Sequence, residues 1–177
     1  MNSSALILLY TGDGKGKTSA AMGTLFRALG HHGRCAVAQF IKSEEVNTGE
    51  KDFAESLQIT WRNFGVGFTW EKGNDEANRA VCFQGWETVK TWIESATYDL
   101  IVLDEFTYPL NLGYVQIDEV ITYLAMRRSQ KNFPHLVITG RKAPQQLVDL
   151  ADMVSEIIQI KHHWHEQKIS SQEMIEY

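Results

Sequence analysis

The stretch Ala5 to Ala20, ALILLYTGDGKGKTSA, constrains this chain more than any other. A short apolar run breaks into a turn with glycines at alternate positions, Gly12, Gly14 and Gly16, and then into helical spacing. That order is strand, phosphate loop, helix. The glycines free the backbone to turn its N–H groups inward, and a helix starting near Lys17 brings its positive dipole end to the same spot, so an anion is held there. Lys17 supplies a mobile charge for phosphate oxygens, and the Thr18 hydroxyl stands where P-loop proteins hold magnesium. The usual pattern GxxxxGK[ST] asks for a glycine five residues before Gly16, where this chain has Thr11. The loop is a variant, and a different handling of the triphosphate is open to it.

Composition narrows the class. A chain of 177 residues fits one domain, residues 1–177, that buries roughly 70% of the surface its unfolded form exposes. A net charge of −5 argues against a general nucleic-acid or membrane-surface binder, since either partner demands a basic face. Cys35 and Cys82 have no CxxC spacing and read as buried thiols, in keeping with a reducing cytoplasm. The apolar run Ala5 to Tyr10 lacks a preceding basic region and is too short for a signal peptide or membrane span.

Past the loop, Ala20, Ala21, Leu25, Ala28 and Leu29 form a helical stripe with Gly30 and Gly33 as its stop. Arg34 to Ile41 reads as a buried strand and Lys42 to Glu50 as a loop at its carboxyl end, where open α/β sheets bind ligands. A short helix from Lys51 to Leu57 and a strand from Ile59 to Phe64 lead into Gly65 to Trp70, GVGFTW. Phe68 and Trp70 there place two large aromatics on a loop. Asp75 to Ser95 is a long helix whose core stripe is expected to be Ala80, Phe83, Trp86, Val89, Trp92 and Ile93. Asp99 to Tyr108, DLIVLDEFTY, is an apolar strand delivering Asp104 and Glu105 at its end, as a Walker B segment does. Ile117 to Arg128 is a helix and His135 to Thr139 a strand, with Gly140 and Arg141 as its turn. Pro144 to Ala151 is helical and Val154 to His162 a last strand. Strands and helices alternate without repeats or linkers, which gives an α/β fold: a single doubly wound, mainly parallel sheet with helices on both faces.

The tail holds His162, His163 and His165 around Trp164. On a strand His163 and His165 would share one face while His162 points away, and a solvated edge is favoured over a metal site.

Three features taken together, TGDGKGKT, GFTW and LDEFTY, resemble the P-loop family of ATP:corrinoid adenosyltransferases. RALGHHG from Arg27, QFIK from Gln39, ITGR from Ile138, ADMVSE from Ala151, Lys161-His162 and a closing IEY extend the resemblance over nearly the whole chain. It implies a RecA-like fold, usually a homodimer, that binds MgATP (or its manganese form) and a corrinoid and acts in the cytoplasm with an electron donor such as a reduced flavoprotein. Transferred residue by residue, it makes Gly12, Asp13, Gly14, Lys15, Gly16, Lys17, Thr18 and Ser19 the nucleotide loop, with Arg27 as a further contact. Thr18, Asp104 and Glu105 become the metal side. Lys17 and Glu105 are implied to be catalytic, together with Phe68 and Trp70, which displace the corrinoid's lower ligand.

The chemistry sets its own demands. The adenosyl group moves by attack of Co(I) at the ribose C5′ with triphosphate as leaving group, so no side-chain nucleophile is needed. Removing an axial donor eases the reduction that makes Co(I), and polar loop groups would coordinate in its place. Two departures from the family stand out. Only Met1 to Ser4 precede the first strand, so an N-terminal lid is expected to be absent or supplied otherwise. The tail also lacks glycines between Lys161-His162 and IEY. A small P-loop kinase or ATPase, and a non-catalytic corrinoid and nucleotide binder, are the competing readings.

Overall fold

The structure, a computed structural model, describes residues 5–43, 48–66 and 75–175. Six strands form one sheet: β1 (Ile7–Thr11), β2 (Cys35–Phe40), β3 (Thr60–Phe64), β4 (Leu100–Asp104), β5 (His135–Thr139) and β6 (Met153–Glu156). Their order is β3-β2-β4-β5-β1-β6 and every pairing is parallel. The helices are α1 (Lys17–Gly30), α2 (Gly49–Ser56), α3 (Asp75–Glu94), α4 (Thr107–Asn111), α5 (Ile117–Arg128), α6 (Gln145–Leu150) and α7 (His163–Gln167). Apart from α7, which follows the last strand, they lie in the connections, as parallel pairing requires.

The two-residue period of the strands divides the core. Ile7, Leu9, Ala38, Phe40, Ile101, Leu103, Leu136 and Ile138 face one side, packed with Trp86, Val89 and Ile93 of α3, Val120 and Leu124 of α5 and Leu147 of α6. Val37, Val102 and Val137 face the other, under Ala21, Met22 and Leu25 of α1 and Ala54 of α2. Apolar residues at consecutive strand positions thus have a helix to meet on either face. The sheet also separates the cysteines: Cys35 belongs to the second cluster and Cys82 to the first, both buried and unbridged. Burial pushes each thiol up to about 11.

Three expectations need correction. Phe83 lies 48% exposed on α3 and Ala80 is exposed too, the buried positions being Asn78, Cys82, Gly85, Trp86, Val89 and Ile93. Gly85 sets that rotation, because its missing side chain lets the helix settle onto Phe64 and Phe40. A Cβ at Gly85 would lie 2.6 Å from Phe64 Cγ and 2.9 Å from Phe40 Cε1. We expect Gly85→Ala to cost about 1–3 kcal/mol through overpacking, more than the ~1 kcal/mol an alanine returns in a helix, read as a lowered Tm.

The second correction concerns DLIVLDEFTY, whose strand stops at Asp104. Glu105 turns the chain at φ 58°, and Thr107 already begins α4. The third is β6, which ends at Glu156 rather than running to His162. Its strand partner in the sheet is β1, and their register ends at Thr11 opposite Glu156, where β1 turns into the glycine loop. With no ladder to extend, the chain leaves the sheet.

Candidate functional site

The carboxyl ends of β1, β2, β4 and β5 open on one side of the sheet, and the chemistry-bearing residues gather there. The loop from Gly12 to Gly16 leaves β1 through two left-handed turns, Gly12 at φ 97° and Gly16 at φ 110°, where an L side chain would be strained. Gly14 is required for a different reason: a Cβ there would lie 2.7 Å from the Ile157 carbonyl oxygen, and the Gly14 amide donates to that oxygen at 2.8 Å. Thr11 needs no glycine, because it is still extended and paired with Glu156, and the turn begins one residue later. Gly16 caps α1 without a side chain, and the first helical bond runs from the Ala20 amide to the Gly16 carbonyl. The amides of Lys17, Thr18 and Ser19 therefore precede the intrahelical ladder and suit an anion.

Lys17 is 4% exposed and donates from Nζ to the Gly14 carbonyl at 2.6 Å. Burial lowers its pKa from the ordinary value; the Glu105 charge opposes that shift and Arg141 adds to it. Thr18 Oγ1 donates to Asp104 Oδ1 at 2.9 Å. This joins the ends of β1 and β4 although β5 runs between them. Asp104 is fully buried and accepts two more bonds, from Thr139 Oγ1 at 2.7 Å and Gln39 Nε2 at 2.8 Å. Thr139 in turn accepts from the Glu105 amide at 2.9 Å, holding that residue in its left-handed turn. Gln39 and Thr139 are site residues to which the QFIK and ITGR segments assign no role. Each does carry a signal, as a polar residue at or next to the carboxyl end of a strand, directly after a run of apolar residues.

Glu105 carries a buried oxygen, Oε2, with no hydrogen-bond partner. Burial raises its pKa, with the neighbouring Asp104 charge adding and Lys17 opposing. An orphaned acceptor at a strand end, beside a hydroxyl and a second carboxylate, is an oxygen-only donor set of the kind a hard divalent cation takes. Lys15, Gly16, Lys17, Thr18 and Ser19, with Lys42, Glu50, Glu105 and Arg141, surround a cleft of about 240 Å³. Arg141 is fixed through its backbone, whose carbonyl accepts from Thr107 Oγ1 at 2.6 Å.

Of the residues expected in the site, Lys15 to Ser19 and Glu105 line this cleft, with Asp104 bonded to Thr18 beneath it. Asp13 is exposed on the loop, close enough to Lys17 to act on its charge. Arg27 is not brought there. It stands ten residues along α1 from Lys17, about 15 Å of helix rise, beside His31, Asp99 and His135 near the amino ends of the strands. Phe68 and Trp70 lie outside the described residues. The histidines are on the helical turn α7 and not on a strand: His162 caps it, its Nδ1 accepting from the Trp164 amide at 3.1 Å. Among the described residues, no group of three His, Cys, Asp or Glu side chains is arranged to hold a metal ion.

Comparison with known proteins adds a second line of evidence. A family described as ATP:corrinoid adenosyltransferase BtuR/CobO/CobP matches residues 3–177. The corrinoid adenosyltransferase CobA of Salmonella typhimurium is 40% identical over 157 residues, covering 89% of this chain and 78% of that protein. A corrinoid adenosyltransferase of Escherichia coli K12 is 38% identical over the same shares. One from a Sinorhizobium species is 34% identical over 175 residues, 97% of this chain and 80% of the relative.

Proposed function

The chain belongs to the ATP:corrinoid adenosyltransferase family, and on that premise we propose that the cleft above β1 and β4 holds the triphosphate of ATP while its adenosyl group passes to a corrinoid. The observation that carries the assignment is the Thr18 to Asp104 bond at 2.9 Å, which unites the glycine loop with the DE pair across an intervening strand. In the transfer, the electron pair of Co(I) forms the Co–C5′ bond. The C5′–O bond breaks, and its electrons leave with inorganic triphosphate. Charge builds on the phosphate side, so donors that meet it there lower the barrier: the Lys17 to Ser19 amides, Lys17 Nζ and the Arg141 guanidinium.

Thr18, Asp104 and Glu105 would hold the magnesium or manganese ion, and the orphaned Glu105 Oε2 fits that role. When bound, the ion supplies charge neutralisation at phosphate oxygens. The buried Asp104, fixed by three donors, orients the Thr18 hydroxyl and Glu105 around that position. A homodimer, a reduced flavoprotein as electron donor and a cytoplasmic setting belong to the same proposal, supported by the family resemblance. Among the described residues no helix is long and apolar enough to cross a membrane.

Purified protein given ATP, magnesium and a chemically reduced corrinoid is expected to yield adenosylated corrinoid and inorganic triphosphate in equal amounts. ADP without adenosylated corrinoid would move the protein to the kinase or ATPase reading. Phe68 and Trp70 enter the proposal through GFTW. Phe68→Ala and Trp70→Ala are each expected to cut activity by about tenfold or more when the assay starts from Co(II), where the lower ligand must go before reduction. Activity should largely recover with Co(I), and ATP affinity should stay unchanged. Equal losses from both oxidation states would remove the aromatic pair from this role.

A further inference from the structure

β2 leaves the sheet through a strained turn. Its last ladder partners are Phe64 of β3, opposite Phe40, and Asp104 of β4, opposite Gln39. One residue on, Ile41 stands at φ 76°, a left-handed conformation that a β-branched side chain adopts only under strain. The neighbours hold it there. The Ile41 amide donates to the Phe64 carbonyl at 3.0 Å, and Gly65 lies so close that a Cβ on it would stand 2.2 Å from the Ile41 carbonyl carbon. Two residues past Ile41, the Ser43 carbonyl accepts from Asn63 Nδ2 at 2.8 Å, while Asn63 Oδ1 accepts from Trp61 Nε1 at 2.8 Å. Asn63 and Trp61 are both buried, so the turn is tied to the inside of the sheet. A turn needed only to leave β2 could use glycine at this position without strain. Strain that the surroundings over-determine in this way points to a function.

The turn changes where Lys42 goes. On a regular strand Lys42 would share the face of Phe40, which packs beneath α3 against Gly85. Ile41 joins that apolar cluster itself, the alternation is broken, and Lys42 comes out in the cleft beside Glu105 and Arg141. It arrives from β2, which β4 and β5 separate from β1 and its glycine loop. Among the described residues no hydrogen bond or ion pair engages its ammonium. Its charge still bears on Glu105, whose pKa is raised by burial and then by Asp104, with Lys17, Lys42 and Arg141 opposing in turn. We propose that Lys42 is a further catalytic residue, an ammonium that contacts phosphate oxygens of the nucleotide from the β2 side of the cleft, and that Asn63, by holding Ser43, is its positioning residue. This deepens the proposed function and rests on it.

The test compares wild type with Lys42→Met, which keeps the stem without its charge, with Lys42→Arg, and with Asn63→Ala alone and combined with Lys42→Met. Each is read by calorimetric titration of ATP with magnesium and by steady-state transfer to chemically prepared Co(I) corrinoid, with circular dichroism and Tm as the check of the fold. Lys42→Met is expected to weaken ATP binding and lower kcat/KM for ATP by about 10- to 100-fold at an unchanged Tm, the scale of one charge-assisted hydrogen bond. Lys42→Arg should recover most of that loss. Asn63→Ala should lose about three- to tenfold in both readings, yet less than about twofold in the Lys42→Met background, because a positioning residue then has nothing left to position. Should the alanine variant fail to fold, Asn63→Asp takes its place in the cycle, since it keeps the acceptor for Trp61 and loses the donor to Ser43. ATP binding and kcat/KM within about twofold of wild type in Lys42→Met, with binding still lost in Lys17→Ala, would overturn the Lys42 contact and leave the loop assignment standing. An equal cost of the Asn63 substitution with and without Lys42 would overturn the positioning role. ATP binding indifferent to Lys17→Ala and Lys42→Met alike would overturn the proposed site as well.

Discussion

Lys17→Ala is expected to lose roughly 10²- to 10⁴-fold in kcat/KM for ATP while remaining at least as stable as the parent. The activity loss corresponds to about two charge-assisted hydrogen bonds of 1.5–3 kcal/mol each. The stability follows from burial. Lys17 is 4% exposed and its pKa is lowered, with burial the leading cause. The folded protein therefore holds the proton less well than the unfolded chain does. Charged Lys17 opposes folding at every pH below its depressed native value, and that opposition fades as pH rises towards the ordinary 10.5. Alanine removes the opposition together with one bond to the Gly14 carbonyl. A Tm held or raised at pH 7 beside a collapsed kcat/KM is the expected pair of readings. Parental activity at low ATP would remove Lys17 from the phosphate site.

Glu105→Gln carries the second large effect. It should abolish the response to magnesium and cut turnover by about 10²- to 10³-fold, the scale of losing one preorganised electrostatic contact. Its raised pKa comes first from burial and then from Asp104. An acid with a raised native pKa opposes folding above that value, and the opposition disappears as pH falls to the ordinary 4.5. In chelator at pH 8 the glutamine variant should thus melt at or above the parent, with the difference closing near pH 4. Added magnesium should then raise the Tm of the parent alone. Parental activity should also fall on the acid side at a higher pH than an ordinary carboxylate would give. A magnesium-induced Tm shift of the same size in Glu105→Gln would place the metal on other residues.

Much of this site is legible in the order of its residues. Ile117–Arg128 and His135–Thr139 match their expected bounds residue for residue, the strand being bracketed by Pro134 and Gly140. Lys17, Thr18, Asp104 and Glu105 stand out because each follows an apolar strand in a fixed motif. What a linear reading misses is information held between segments. The end of β6 depends on where β1 turns away, and the rotation of α3 depends on Phe64 and Phe40 meeting Gly85. Arg27 can be placed in a family segment, but its distance from the cleft needs the helix. The tail gives a mixed case. Its lack of glycines is plain, yet only the backbone shows that Lys168 at φ 58° and Met174 at φ 68° stand in left-handed conformations that glycine adopts freely.

The pairing of β1 fixes when this protein becomes competent. Of the six described strands β1 comes first in the sequence, but its neighbours in the sheet are β5 and β6, the last two of the six. Its loop takes final shape only after Ile157 has bonded to Thr11 and Gly14. Such long closures are slow to form and are completed late. A chain that already displays every loop residue but has not yet placed Ile157 therefore lacks the bonds that finish the loop. On the proposed nucleotide site, ATP adds its binding energy only to the completed sheet and so favours finished molecules over partly folded ones.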